Sequence, residues 1–104
     1  MSIATIDIQP RVSDIEFTDN MLSVCLVDGR ILLVPLEWYP RLMVASETER
    51  KDWRVFEDGD ERDIIFWEEL DELIPAIALL TGTPSRESKR SFDKWLADRQ
   101  TDGL

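Results

Sequence analysis

Histidine is absent from this chain of 104 residues, and cysteine occurs once, as Cys25. Without an imidazole there is no Ser–His or Cys–His nucleophilic pair, no imidazole acid–base group and no His-ligated metal. A lone thiol cannot close an intramolecular disulfide or build a multi-cysteine zinc site. Cations are scarce as well: 12 Lys and Arg stand against 22 Asp and Glu, a formal net charge of −10. Such a surface repels phosphate and argues against wrapping nucleic acid. Long apolar runs are missing too. The richest, Ile74 to Leu80, is far shorter than the roughly 20 residues that a membrane-spanning helix needs. The opening Met1-Ser2-Ile3-Ala4-Thr5-Ile6-Asp7 has neither the basic nor the apolar region of a signal peptide. Together with a free thiol in a strand-like run, this leads us to expect a cytoplasmic protein.

The residues present are 43% apolar and 33% charged, a folded composition with enough chain for one domain and one core. Residues 1–11 read as a lead-in, in which Ile6 and Ile8 alternate with polar neighbours and allow an edge strand. From Val12 to Pro35 the pattern is a three-stranded antiparallel meander. Ile15 and Phe17 alternate with acidic residues, Thr18-Asp19-Asn20 is a turn, and Leu22, Val24 and Leu26 share a face. Asp28-Gly29 is a strong hairpin signal, and Pro35 ends the returning strand. A pair of short helices follows. The first has Pro40 near its start and buries Trp38 and Leu42, and the second opens with the capping box Ser46-Glu47-Thr48-Glu49 and ends near Trp53. A hairpin then joins the strands Trp53–Phe56 and Asp63–Trp67 across Glu57-Asp58-Gly59-Asp60, with both Trp53 and Trp67 buried. Leu73 to Leu80 reads as a helix with Pro75 in its first turn and Gly82 just beyond it. Thr83 and Pro84 open a last helix that runs through Phe92, Trp95 and Leu96 to about Arg99. The expected fold is a small α+β domain: an antiparallel sheet of about five strands (meander plus hairpin), a short helix pair and two C-terminal helices. Its parts are residues 1–11, 12–82 and 83–104.

Several blocks carry a family resemblance: Asp28-Gly29-Arg30, Val34-Pro35-Leu36-Glu37-Trp38-Tyr39-Pro40-Arg41-Leu42, Trp53-Arg54, Trp67 with Leu70-Asp71-Glu72 and Ile74, and Leu79-Leu80 with Gly82. Together they resemble a bacterial family catalogued as the domain of unknown function numbered 2442, over roughly Val12 to Gly82. The resemblance implies a small α+β accessory protein without a known reaction, often encoded beside a small toxin-like partner and described as antitoxin-like. Phe66 stands where a His often precedes the second Trp, and Leu73 and Pro75 stand where an acidic residue and a Ser are common.

The densest chemistry lies in the acidic run from Glu57 to Glu72. It is not an EF-hand, because a loop starting at Asp58 has Arg62 at a ligand position and Asp63 where Gly is required. It reads as a solvated turn, with a partner-facing acidic patch as the alternative. Paired carboxylates could do acid–base work, but so small a domain offers little room for a cleft. Cys25, between Val24 and Leu26, reads as a structural thiol.

Tyr39 and Arg41 have the composition of an interface hot spot, although Arg41 could instead pair with a carboxylate of the acidic run. The tail differs in charge: residues 83–104 carry a net +1 and residues 1–82 a net −11. Its apolar stripe of Phe92, Trp95 and Leu96 must be covered, by this domain or by a partner. The expected function is therefore a small acidic interaction module, antitoxin-like by the resemblance, with a basic protein as partner. The expected partner-binding residues are Tyr39, Arg41, Phe92, Trp95 and Leu96, with no catalytic, cofactor-binding or metal-binding residue. Self-association is left open, and no membrane contact is expected. A nucleic-acid-associated regulator working through the C-terminal helix is the alternative, and a small-ligand enzyme is less favoured.

Overall fold

Alternating side chains and the Asp28-Gly29 turn fold the first third of the chain into the expected meander, β1 (Val12–Phe17), β2 (Met21–Leu26) and β3 (Ile31–Pro35), in the order β1-β2-β3. The computed structural model describes residues 10–59 and 62–102, so the edge strand expected at Ile6 and Ile8 lies outside the described residues. Gly29 takes a φ of +97°, which a side chain would strain, and Asp28 Oδ1 accepts the Arg30 N–H at 3.0 Å. The register pairs Ile15 with Val24 and Leu22 with Val34, so one face of the meander is buried.

After Pro35 come a 3-10 turn over Leu36–Trp38 and two short helices, α1 (Pro40–Met43) and α2 (Glu47–Lys51). Pro40 occupies the first helical position, where its missing N–H is not needed. The capping box forms in full: Ser46 Oγ accepts from Glu49 N at 3.1 Å, and Glu49 Oε1 accepts from Ser46 N at 2.8 Å. Leu36, Tyr39 and Leu42 are buried from this segment, and Trp38 is half-buried against the core.

The second half departs from expectation. Instead of one sheet of about five strands there are two sheets of three. The second is antiparallel, with β4 (Trp53–Glu57), β5 (Asp63–Trp67) and β6 (Glu72–Pro75) in that order. The sixth strand is the stretch read as the start of a helix. Pairing Ile74 with Ile65 buries both, and Pro75, last on an edge strand, owes no ladder donor. The helix α3 (Ala76–Thr81) therefore starts later, and it stops at Gly82, whose φ is +71°. The final helix, α4 (Lys89–Asp102), also starts later than Thr83. Ser88 Oγ caps it by accepting from Ser91 N at 3.1 Å, and the residues before it run out to carry Glu87 to Arg41.

The inner faces of both sheets share one core. Phe17 of the first sheet meets Trp67 of the second edge to face, with ring centroids 6.3 Å apart. Trp67 is fully buried, and its indole N–H donates to the Arg50 carbonyl at 3.0 Å, whereas Trp53 is only partly buried. Asp63 is 7% exposed and ties the sheets together: it accepts Arg11 Nε at 3.0 Å and Val12 N at 2.8 Å. A buried carboxylate held this way keeps its charge partnered. Cys25 is half-buried, in keeping with a structural thiol. Among the described residues, no helix is long and apolar enough to cross a membrane.

Candidate functional site

Arg41 is the centre of the most connected polar cluster we find. Only 15% of its side chain is exposed. It faces Glu87 with Nη2 and Nε at 2.5 and 2.9 Å, and its Nη1 donates to the Asp71 carbonyl at 2.8 Å. The alternative reading of Arg41, a pairing with a carboxylate of the acidic run, holds for Asp71, whose Oδ2 lies 3.7 Å away, but Glu87 is the closer partner. Glu87 wins because the irregular residues before α4 deliver it to the guanidinium for a two-point contact. Burial works against the Arg41 charge, yet Glu87, with Glu72 and Asp71 near by, outweighs it and raises the pKa.

Trp95 of α4 comes down on the same spot. The Arg41 guanidinium lies 5.1 Å and that of Arg99 4.7 Å from its ring centroid, a cation–π arrangement. The Trp95 indole N–H donates to the Leu70 carbonyl at 2.9 Å. Asp71 has a φ of +51°, rare outside glycine, in the turn that offers these carbonyls of residues 70 and 71. Phe92 stacks on Trp95 at 5.8 Å, and Leu96 is half-buried beside it in sequence. Arg99 completes the attachment by pairing with Glu49 at 2.9 Å. Burial pushes the Glu49 carboxyl up, but the Ser46 N–H and Arg99 outweigh it and hold the pKa below its ordinary value.

Tyr39 lies at the edge of this cluster, 3% exposed, with its hydroxyl 3.4 Å from the Thr83 carbonyl. Burial, helped by the charge of Glu72, pushes its pKa up to about 12. Glu72 is itself raised, chiefly by burial, against the opposing N–H of Leu73 and charge of Arg41. One of its oxygens, Oε2, is buried without a hydrogen-bond partner among the described residues.

Of the five candidate residues, then, Arg41, Phe92 and Trp95 are brought into one cluster, with Tyr39 and Leu96 at its margin. Their contacts are to this chain's own groups, and they fasten α4 to the body. Sequence reading missed Glu87, Glu49 and the Leu70 and Asp71 carbonyls. Of these, only an acidic residue inside a basic tail gave any signal. Two of the tail's five cations are also in use: Lys89 pairs with Asp93 at 2.8 Å and Arg99 with Glu49. A groove of about 620 Å³ runs beside β1 and the start of β4, over Phe17 and Trp53. Arg50 borders it, but its guanidinium already donates to the Leu42 and Met43 carbonyls, each at 2.9 Å.

The family model described as "Protein of unknown function (DUF2442)" matches residues 12–85. No curated protein matches the chain. Among solved structures, a protein of unknown function from Rhodospirillum rubrum is similar in fold, with 21% sequence identity, a TM-score of 0.59, and coverage of 77% of this chain and 95% of that one.

Proposed function

The chain belongs to the DUF2442 family of proteins of unknown function, and from that premise we propose that it acts by binding, as the acidic, antitoxin-like partner of a small basic protein in the cytoplasm. The observation that supports this is how its charges are spent. Arg11, Arg41 and Arg99 are committed to carboxylates of their own chain. The turns at the two ends of the second sheet keep carboxylates in solvent: Asp58, with Arg62 beside it, at one end, and Glu68, Glu69 and Asp71 at the other. Opposite charge steers encounter and sets register more than it adds raw affinity. On this reading the chain is not an enzyme, and the Arg41–Trp95 cluster holds the tail rather than a substrate.

The test is to express the products of the genes adjacent to its own and to measure their association with the chain by stopped flow. We expect a basic product to bind, at a rate that falls as salt rises, because the field is screened over roughly 8 Å at physiological ionic strength. A rate that salt leaves unchanged, or no association with a basic neighbour, overturns the reading.

A further inference from the structure

Helix α4 is fastened to the body without being built into the core. Among residues 89–99 none is buried: Phe92, Trp95, Leu96 and Arg99 are half-buried and the others exposed. Of its large apolar side chains, Trp95 is the one that packs against the core. Helix α3, by contrast, buries Ala76 and Leu79. Polar contacts at three places hold the arm: Arg41 takes Glu87, the Leu70 carbonyl takes the Trp95 N–H, and Glu49 takes Arg99. All three body groups lie within the stretch that the family model matches, which stops at residue 85, before α4 begins. A polar contact surface without a buried apolar centre opens at lower cost than a core does. Six residues without helix or strand, Thr83 to Ser88, join Gly82 to α4. They touch the body lightly, through the Tyr39 hydroxyl 3.4 Å from the Thr83 carbonyl and the Ser85 N–H on the Trp38 carbonyl at 3.2 Å. Extended, six residues reach about 20 Å, and Pro84 biases Thr83 towards the extended form.

We infer that the surface beneath α4 is an exchangeable docking site, and that its occupant in trans is the α4 of a second copy of this chain, so that two copies swap arms. The inference goes beyond the basic-partner reading and does not rest on it. Pattern selects the occupant. The site asks for a carboxylate at Arg41, an N–H donor at the Leu70 carbonyl and a cation at Glu49. The arm carries these as Glu87, Trp95 and Arg99, eight and then four residues apart. A second copy supplies the same groups at the same spacing, so every contact made in cis is remade in trans. The exchange is reciprocal: each body receives one arm, and the pair closes with no site left open. Net charge agrees, since residues 83–104 carry +1 and residues 1–82 carry −11, which makes the arm the part of the molecule that a second body attracts. The two bodies repel each other, and salt screens that repulsion over roughly 8 Å at physiological ionic strength.

The test reverses one ion pair in full-length chains. In Glu49→Arg the body repels every native Arg99, and in Arg99→Glu the arm is repelled by every native Glu49. The two variants are refolded together from urea, in equal amounts and at physiological ionic strength. Crossing the arms then sets native Arg99 on native Glu49 in one half, and the two reversed residues on each other in the second half. We expect a mixed dimer of twice the mass by light scattering, with α4 amides as protected as in the wild type. Each variant alone should stay monomeric, with α4 amides exchanging at least about tenfold faster. Glu49→Arg also removes the cap on the Ser46 N–H, so the doubly reversed chain Glu49→Arg/Arg99→Glu serves as control and should recover slow exchange in α4. The inference is overturned if the mixture stays monomeric, or if α4 in the mixed dimer exchanges as fast as in the separate variants. It is equally overturned if either variant alone dimerises to the same extent, or if the doubly reversed chain stays fast. Phe56 and Leu73 are exposed on the outward face of the second sheet. A mixed dimer that Phe56→Ser/Leu73→Ser dissolves would be joined by that face instead, and would also overturn the exchange.

Discussion

Tyr39 is the chain's one tyrosine, so its phenol can be followed by absorbance without assignment. Its pKa is pushed from the ordinary 10.0 to about 12, by burial and then by Glu72. The folded state therefore holds this proton more tightly than the unfolded chain does. The stabilisation is fully present below about pH 10 and is lost as pH climbs through about 12. Phenolate absorbance should rise late and together with loss of folded structure, and a phenol that titrates near 10 in the folded protein would refute the assignment. At this scale the sequence was legible where partners are local. Ser46 and Glu49 are three residues apart, and their capping box could be read off directly. Arg41 and Glu87 are 46 residues apart, and no spacing rule reaches across the chain to choose Glu87 over the nearer-looking carboxylates of the acidic run.

Among the elements, the meander and the capped helix announced themselves through period and turn chemistry, whereas β6 and the start of α4 did not. Glu72–Pro75 is four residues long, too short for a period, and its strand character comes from pairing with β5. Helix α4 depends on docking, since a helix of 14 residues is marginal alone in water. Trp95 contributes to that docking through its ring, near which the Arg41 and Arg99 guanidinium groups lie, and through its bond to the Leu70 carbonyl. Replacing Trp95→Ala should cost about 2 kcal/mol. Amide hydrogen exchange should then quicken along α4 and stay slow in β2 and β5. Uniform quickening through the whole chain would show that α4 and the sheets unfold as one, against this account.

For the whole molecule, what could not be read was the split into two sheets. Five of the six strands follow from local pattern, but the sixth and the choice of which edges meet depend on pairing and the shared core. Asp63 is the polar tie across that split, linking the start of β1 to the start of β5. Removing it strands the Val12 backbone N–H and leaves Arg11 only its exposed pairing with Glu57. Asp63→Ala should therefore lower the unfolding free energy by about 2–3 kcal/mol, as a fall in the urea midpoint with one transition retained. Two transitions would mean that the sheets are separate folding units. The fastening of the tail has a consequence of another kind. Arg41, Glu49 and the Leu70 carbonyl lie inside the stretch that matches the family, and Glu87, Trp95 and Arg99 lie beyond it. Each attachment thus has one half in the shared inheritance and one in an appendage. Descent can alter either half only in step with the other: when the lineage is traced, positions 41 and 87, and 49 and 99, should change together, and relatives with a different appendage should differ first at 49.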